Sequence, residues 1–375
     1  MRIAVDARQV YRKNRRGIGK ALLQILLHIS SARPNWEFRL FHQSLPADNP
    51  FAFSSNNLIP ERIDITGDRF GFWQEIRLPL AAWQESTDLI YSPANIGPCK
   101  PCRPMAVSVH DLIPLQLEPT NATHVAWGRK VARTIKSANR VHTVSEYSAR
   151  QLHDLLGVPA AKIEVIPLAA DPQFIPVTDM EKHRLIREKY CISNERPYVL
   201  AFGAADERKN TRRIIEAWSR LPLKIRDRFF LLILGIQDAS LPIFREFAYN
   251  LIPNGGWHLH GYADEADLPT MLSAATLLCY PSLAEGFGLP ILEAFSCGTA
   301  VLTSNITSLP EVAGDAALLI NPLDTASLVN GLHTLLTDDN YRSQLAERGK
   351  IRSSAFTWHK TSEQMAELFS KSVPI

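Results

Sequence analysis

At 375 residues the chain is too long for one ordinary hydrophobic core, and two domains are the expectation. Its 46% hydrophobic and 21% charged residues exclude a disordered polymer. The formal net charge of +3 gives no general case for nucleic-acid binding.

The chain begins with a charged strand, MRIAVDAR, so no signal peptide is expected. No apolar run approaches the ~20 residues of a membrane span. The five cysteines, Cys99, Cys102, Cys191, Cys279 and Cys297, are odd in number and scattered, which fits a reducing compartment. Cys99 and Cys102 form a lone C-x-x-C with no second ligand pair behind it, so no zinc site is expected. The expectation is a cytoplasmic protein that meets any membrane from the cytoplasmic surface.

In chain order, Arg2 to Asp6 reads as a strand, Gly17-Ile18-Gly19 as a tight loop, and the apolar-periodic stretch after it as a helix. Strands follow at Glu37 to Phe41, Asp88 to Tyr91, Met105 to Val109, Arg140 to Val144 and Ile163 to Pro167. Helices are expected at Thr123 to Ala138 and Glu146 to Leu156, with Ser145 and Ser148 as capping residues at the start of the second. A polar, proline-bearing stretch from Asp171 then reads as a connection. The alternation restarts at Tyr198 to Gly203, with further strands at Phe230 to Leu234, Trp257 to His260, Thr276 to Tyr280, Ala300 to Thr303 and Ala316 to Ile320. Helices are expected at Thr211 to Ser219, Ala266 to Ala274 and Leu289 to Phe295. This is the pattern of two consecutive doubly wound α/β domains, whose ligands bind beyond the carboxyl ends of the strands.

The most specific segment is PSLAEGFGLPILEAFSCG, Pro281 to Gly298. A strand runs into a loop with Gly286 and Gly288, and Pro290 sits in the first turn of a helix, where its missing N–H is harmless. The unpaired N–H groups of that turn and the helix dipole favour an anion. Glu285 precedes the helix and Glu293 lies about one turn inside it; carboxylates accept hydrogen bonds from vicinal hydroxyls, so sugars and ribose are natural partners. Arg208 and Lys209 precede another helix, where the dipole disfavours cations, so an anion is expected between them.

Two clusters of positive charge stand out. One contains Arg8, Arg12, Lys13, Arg15, Arg16 and Lys20, the other Arg129, Lys130, Arg133, Lys136 and Arg140. Each reads either as a solvated helix face or as a contact for anionic phospholipid or a phosphate-bearing acceptor. Trp73 and Trp83 read either as core or as exposed aromatics at such a contact.

The E-x7-E spacing of Glu285 and Glu293 resembles that of retaining family-4 glycosyltransferases with the GT-B fold. The resemblance covers nearly the whole chain. It includes Gly17 to Gly19, HDLIPL from His110, TVSEYSARQL from Thr143, VIPLAADPQF from Val165, ERKN from Glu207 and SLPEVAGDAALLINP from Ser308. Within that family the chain resembles bacterial mannosyltransferases that build O-antigen and exopolysaccharide.

The resemblance implies an α/β GT-B fold, two facing Rossmann-like doubly wound domains with a deep inter-domain cleft. It implies an acceptor-side domain at 1–170, a linker at 171–196 and a donor domain at 197–357, with a final helix at about 358–375 crossing back. Glu293 is implied to hold the ribose, Glu285 the donor sugar hydroxyls, and Lys209 the diphosphate. Backbone amides near Gly286, Phe287, Gly288 and Leu289 are implied to hold sugar and phosphate oxygens. Many members carry an arginine directly after the glycine matching Gly203; here Ala204 stands there, and Arg208 is expected to supply the second cation. The Gly17 and Gly19 loop is implied to close over the phosphates, and the base of the donor to depend on contacts near Gly261 and Tyr262. His110 is read either as structural or, by the resemblance, as a hydrogen-bonding partner of the sugar. Asp111 either orients His110 or meets the acceptor.

No Asp-x-Asp motif is present, which fits a transferase that needs no metal or other cofactor. The expected donor is GDP-mannose, with a UDP-hexose such as UDP-glucose second. The expected acceptor is a lipid-linked oligosaccharide or a polysaccharide, with possible peripheral contact to an anionic membrane surface. The rival readings are a phosphorylase or epimerase of the same fold and a sugar-nucleotide-binding protein without catalysis.

Overall fold

Strands rich in Val, Ile, Leu and Phe with no polar alternation are those of parallel sheets buried on both faces. The chain builds two such sheets. A computed structural model describes residues 1–12, 15, 17–43, 50–51, 55–63, 70–193 and 196–374. Lys13 and Arg16 of the first basic cluster lie outside the described residues.

The first unit comprises 1–168 and 356–375. Its strands are β1 (Arg2–Asp6), β2 (Glu37–His42), β3 (Leu58–Arg62), β4 (Leu89–Ser92), β5 (Met105–Ser108), β6 (Arg140–Thr143) and β7 (Ile163–Val165). They form one sheet in the order β3-β2-β1-β4-β5-β6-β7, and every pairing is parallel. The helix Trp358–Ser372 packs in this unit, with Phe369 against Tyr91 of β4 at 4.8 Å between ring centroids. The strand β3 was not expected from the sequence, because Pro60 sits in its middle; Pro is tolerated there because β3 is the sheet edge. A helical run over Phe70–Phe72, Trp73–Arg77 and Leu78–Gln84 was also not expected, and its middle segment is a π-helical turn.

Two expectations in this unit are corrected, and one left open is decided. Gly17 and Gly19 are not a loop: they open the helix Gly17–Ala32. Gly19 is required there by close approach, since a Cβ would lie 2.5 Å from the Gln9 carbonyl oxygen. Arg8 is not part of an exposed basic cluster. It is 8% exposed, its guanidinium donates to both carboxylate oxygens of Asp6 at 2.8 and 2.6 Å, and it stacks 4.0 Å from the Trp73 ring. Trp73 is fully buried and is core, whereas Trp83 is 60% exposed.

The second unit comprises 169–355 and includes the stretch read as a connection. Its strands are β8 (Tyr198–Phe202), β9 (Phe230–Leu234), β10 (Trp257–Leu259), β11 (Leu277–Tyr280), β12 (Val301–Ser304) and β13 (Leu318–Ile320). The parallel order is β10-β9-β8-β11-β12-β13. The order reverses between β8 and β11, which are paired directly, with Cys279 opposite Ala201. That switch point is where two successive crossovers leave in opposite directions and open a crevice at the strand carboxyl ends. The loops after β8 and β11 carry Gly203 to Lys209 and Pro281 to Gly288. Among the described residues no helix is long and apolar enough to cross a membrane.

Candidate functional site

At the end of β8 the chain must turn away from the sheet tightly. Gly203 permits this, because a Cβ would meet the Ile233 side chain at 2.6 Å. Thr211 Oγ1 accepts from the Ala204 N–H at 2.9 Å and donates to the Ala204 carbonyl at 2.8 Å. Asp206 then caps a 3-10 turn, Glu207–Lys209, by accepting from the Arg208 N–H. Asn210 follows in the left-handed conformation, φ 58°, and its amide donates to the Pro281 and Pro322 carbonyls at 3.0 and 2.8 Å. The cation-bearing turn is thereby fastened to the loop after β11.

The two loops meet on Glu285. Four donors converge on its Oε1: the Tyr280 hydroxyl at 2.6 Å, Lys209 Nζ at 2.7 Å, Ser282 Oγ at 2.8 Å and Arg208 Nη1 at 2.9 Å. Lys209 Nζ also donates to the Tyr280 oxygen at 2.7 Å. The anion expected beside Arg208 and Lys209 is thus present within the protein itself. Charge and hydrogen bonding account for the protonation states. Burial pushes the Glu285 carboxyl up, but Lys209, Arg208 and the hydrogen bonds from Lys209 and Tyr280 outweigh it and hold it below the ordinary range. Burial pulls Lys209 down, Glu285 pushes it up and Arg208 opposes that, leaving it below its ordinary value. Tyr280 is held far above the usual phenol range by burial and then by Glu285, so it stays a donor.

The turn behind Glu285 is shaped by Gly288, which has φ 122°, a region closed to side-chain-bearing residues without strain. Ser308 Oγ lies 2.9 Å from the Glu285 carbonyl and 2.7 Å from the Phe287 carbonyl, so one hydroxyl proton serves both. The helix Leu289–Ser296 starts directly after Gly288, with Pro290 in its first turn. Glu293 is half-buried on that helix, close enough to Tyr280 for its charge to act on the phenol. The structure therefore gathers Arg208, Lys209, Glu285, Gly286, Phe287, Gly288, Leu289 and Glu293 in one region of the second unit. Tyr262 stands elsewhere on that sheet. It follows β10, two strands beyond β8, and is 60% exposed. Sequence reasoning missed Tyr280, Ser282 and Ser308. The last of these opens the SLPEVAGDAALLINP segment and was legible there.

His110, Asp111, Gly17 and Gly19 belong to the first unit. His110 leaves the end of β5, its N–H bound to Asn95 Oδ1 at 2.8 Å. Its Nε2 lies 2.9 Å from the Pro93 carbonyl, which can only accept, so Nε2 carries the proton and Nδ1 is an acceptor. Burial holds its pKa below the ordinary value, against the opposing Pro93 carbonyl and Asp111, which keeps the ring neutral. Ser148 Oγ donates to the His110 carbonyl at 3.0 Å, and Ser145 caps the same helix through the Ser148 N–H. Asp111 Oδ1 accepts from the Ile113 N–H at 3.2 Å.

Behind His110 lies a second histidine that the sequence did not single out. His142 packs edge-on at 6.1 Å between ring centroids. Its Nε2 faces the Ile166 carbonyl at 3.0 Å, so Nδ1 accepts from Ser108 Oγ at 2.7 Å, and Ser108 accepts from Tyr91 at 2.7 Å. Burial, with His110 beside it, lowers the His142 pKa to about 3.

Two family models match the chain: glycosyl transferases group 1 over residues 182–352 and glycosyltransferase family 4 over residues 35–174. The O-antigen chain mannosyltransferase B of Escherichia coli is 34% identical over 240 residues, which span 63% of this chain and 61% of that protein. The serotype-specific mannosyltransferase WbdA of Escherichia coli is 28% identical over 270 residues, 70% of this chain and 33% of that one. The chain thus spans less than two thirds of either relative. The structure of HepE from Anabaena, solved with UDP and glucose, superposes with a TM-score of 0.74 at 19% identity, covering 98% of this chain and 99% of that one. At that identity the likeness carries the fold alone.

Proposed function

We propose that this chain, which belongs to the group 1, family-4 glycosyltransferases and has the GT-B fold, transfers mannose from GDP-mannose to a lipid-linked oligosaccharide or polysaccharide acceptor. The observation that carries the reading is the Glu285 cluster at the β8/β11 switch point, two cations and a carboxylate beside a glycine-rich helix start. Mannose is favoured over other hexoses by the two mannosyltransferase relatives.

In this reading Glu293 accepts from the ribose hydroxyls. The N–H groups of Phe287, Gly288 and Leu289 bind sugar and phosphate oxygens. Glu285 offers Oε2 to a donor-sugar hydroxyl, since the four protein donors all engage Oε1. Lys209 and Arg208 bind the diphosphate and stabilise the charge it gains as the bond from C1 breaks. The electron pair leaves with the diphosphate oxygen. The acceptor hydroxyl bonds to C1 from the same face, with retention, and its proton passes to the departing diphosphate. His110, neutral and with Nδ1 as acceptor, takes a hydrogen bond from a substrate hydroxyl. Nothing in these steps calls on a metal ion.

The test is a thermal-shift panel of GDP, UDP, ADP and their sugars on wild type and Glu293→Ala. A ligand that binds only the folded state raises the midpoint. A shift with GDP or GDP-mannose that the variant loses is the expected result. A shift with UDP compounds instead replaces the donor and keeps the class. Silence with every nucleotide sinks the transferase reading.

A further inference from the structure

Arg33-Pro34-Asn35-Trp36 ends the helix Gly17–Ala32 and turns the chain into β2. Proline disfavours helix in the residue before it and suits the second position of a β-turn. The turn closes with the Trp36 N–H donating to the Arg33 carbonyl at 2.9 Å. Asn57, immediately before β3, fastens this turn: its Nδ2 donates to the Ser30, Arg33 and Trp36 carbonyls at 3.1, 3.2 and 2.9 Å. The Asn57 carbonyl accepts from the Phe38 N–H at 2.8 Å. The two segments are thereby held as the walls of a groove of about 510 Å³, lined by Ser31, Asn35, Trp36, Glu37, Asn56 and Asn57 among others.

This groove stands apart from every residue assigned to the donor or to the acceptor. Trp36 and Asn57 precede β2 and β3, so it lies at the amino ends of those strands, whereas His110 leaves the carboxyl end of β5 in the same parallel sheet. Six residues of β2 at ~3.3 Å each separate the two ends by about 20 Å.

The lining is polar with one large ring. Ser31, Asn35 and Asn56 are exposed, and their side chains make no hydrogen bond among the described residues. Asn57 Oδ1 also has no partner. Trp36 is half-buried, held by Phe38 at 6.4 Å between ring centroids and by the Arg33 guanidinium 5.9 Å from its ring. The charges beside the groove compensate one another. Glu37 Oε1 takes Arg2 Nε at 2.9 Å and Arg39 Nε at 2.6 Å, and Arg39 also pairs with Glu61 at 2.6 Å.

We propose that this groove is a second carbohydrate site, which holds a segment of a neutral hexose polymer remote from the reacting end. Hydroxyl and amide side chains both donate to and accept from sugar hydroxyls, and a positioned indole gives the apolar face of a pyranose a surface to rest on. A phosphate-bearing ligand finds Arg2 and Arg39 already paired. A protein partner finds a single ring where an interface core needs an apolar cluster. A polymer attached here reaches the catalytic site at a raised local concentration. That last role, but not the site itself, rests on the proposed transfer to a polysaccharide.

The test is calorimetric titration of the full chain with three neutral polymers, a mannan, a dextran and a galactan. Wild type is compared with Trp36→Ala and with the double variant Asn35→Ala, Asn56→Ala. At least one polymer is expected to bind wild type, to bind each variant roughly tenfold more weakly, and to keep its affinity in high salt. Both variants are expected to keep the wild-type thermal shift with nucleotide, which reports an intact fold and an intact donor site. Trp83→Ala removes an exposed tryptophan outside the groove and is expected to bind polymer as wild type does. A groove that takes dextran or galactan but not mannan upholds the site and counts against mannose as the transferred sugar. A nucleotide shift with no polymer bound overturns the site and leaves the transferase reading standing. Binding that neither groove variant weakens, that Trp83→Ala weakens as much, or that salt abolishes also overturns the site.

Discussion

Lys209 Nζ lies 2.7 Å from Glu285 Oε1 and 2.7 Å from the Tyr280 hydroxyl, so one ammonium ties the loop after β8 to the loop after β11. The side chains of Lys209 and Glu285 are 18% and 13% exposed, which places their charges where water screens them little. The pair ties the two loops together, and in the proposed function the same ammonium binds the leaving diphosphate.

Replacing Lys209 with Met should therefore act twice. Loss of a positioned charge donor lowers kcat by about a hundredfold to a thousandfold. Glu285 keeps Arg208, Tyr280 and Ser282, so the fold survives with a loss of about 1–3 kcal/mol, read by urea unfolding. Tyr280→Phe removes only the phenolic hydroxyl and should cost kcat far less than Lys209→Met. A Lys209→Met enzyme of near wild-type kcat would falsify the assignment of the diphosphate to this cation.

The backbone turn that delivers Glu285 is expected to tolerate no side chain at Gly288. Alanine there must adopt φ 122°, and its Cβ would lie 2.8 Å from Leu309 Cδ2. The expected cost is about 1–3 kcal/mol of stability, with donor KM raised. Ser308→Ala, which leaves the Glu285 and Phe287 carbonyls without their shared hydroxyl, should cost about 1 kcal/mol and move KM the same way. If KM stays put in both variants while the melting point falls, the turn is structural and does not position the donor.

His142 gives the first unit a defined acid response. It is neutral in the fold, with a pKa near 3 against the ordinary 6.5, so the unfolded chain binds the extra proton between those values. Stability is fully present above 6.5 and is lost as pH falls from 6.5 toward 3, by about 1.4 kcal/mol per pH unit. His110, lowered in the same direction, adds to this slope. Denaturant unfolding across that window should show a shallower slope for His142→Gln by about one proton; an unchanged slope would remove His142 from the account.

Local signals carried much of this far. The alternation of buried strands with amphipathic helices recurs along the chain, and Gly and Pro mark where strands end, so both sheets were legible. The elements that escaped had misleading local chemistry. Pro60 hid β3, because a proline inside a strand is acceptable only at an edge, and whether a strand is at an edge is not written locally. Gly17 and Gly19 suggested a loop because glycine usually marks one; here Gly19 is small so that its helix can sit against Gln9. Glu285, Glu293, Arg208 and Lys209 were found through their spacing and resemblance; Ser308 was visible only as the first residue of the SLPEVAGDAALLINP segment, and Tyr280 and Ser282 carry no chemistry that distinguishes them in one dimension.

What the sequence by itself determined is the set of short-range choices: which stretches are strands, where the helix after Gly288 begins, and that two cations and one carboxylate fall in loops after strands, with a second carboxylate about one turn into that helix. These depend on side-chain period, φ preference and first-turn N–H groups, all interactions among near neighbours. Only the tertiary structure decided which of those groups meet. Lys209 and Glu285 are 76 positions apart and touch because β8 pairs with β11 rather than with a later strand. Trp73 and Trp83 share one helical run, and the packing of one face against the core makes the first structural and leaves the second to the outside. Such outcomes follow from the simultaneous burial of distant apolar surfaces, a condition on the whole chain that no local window contains.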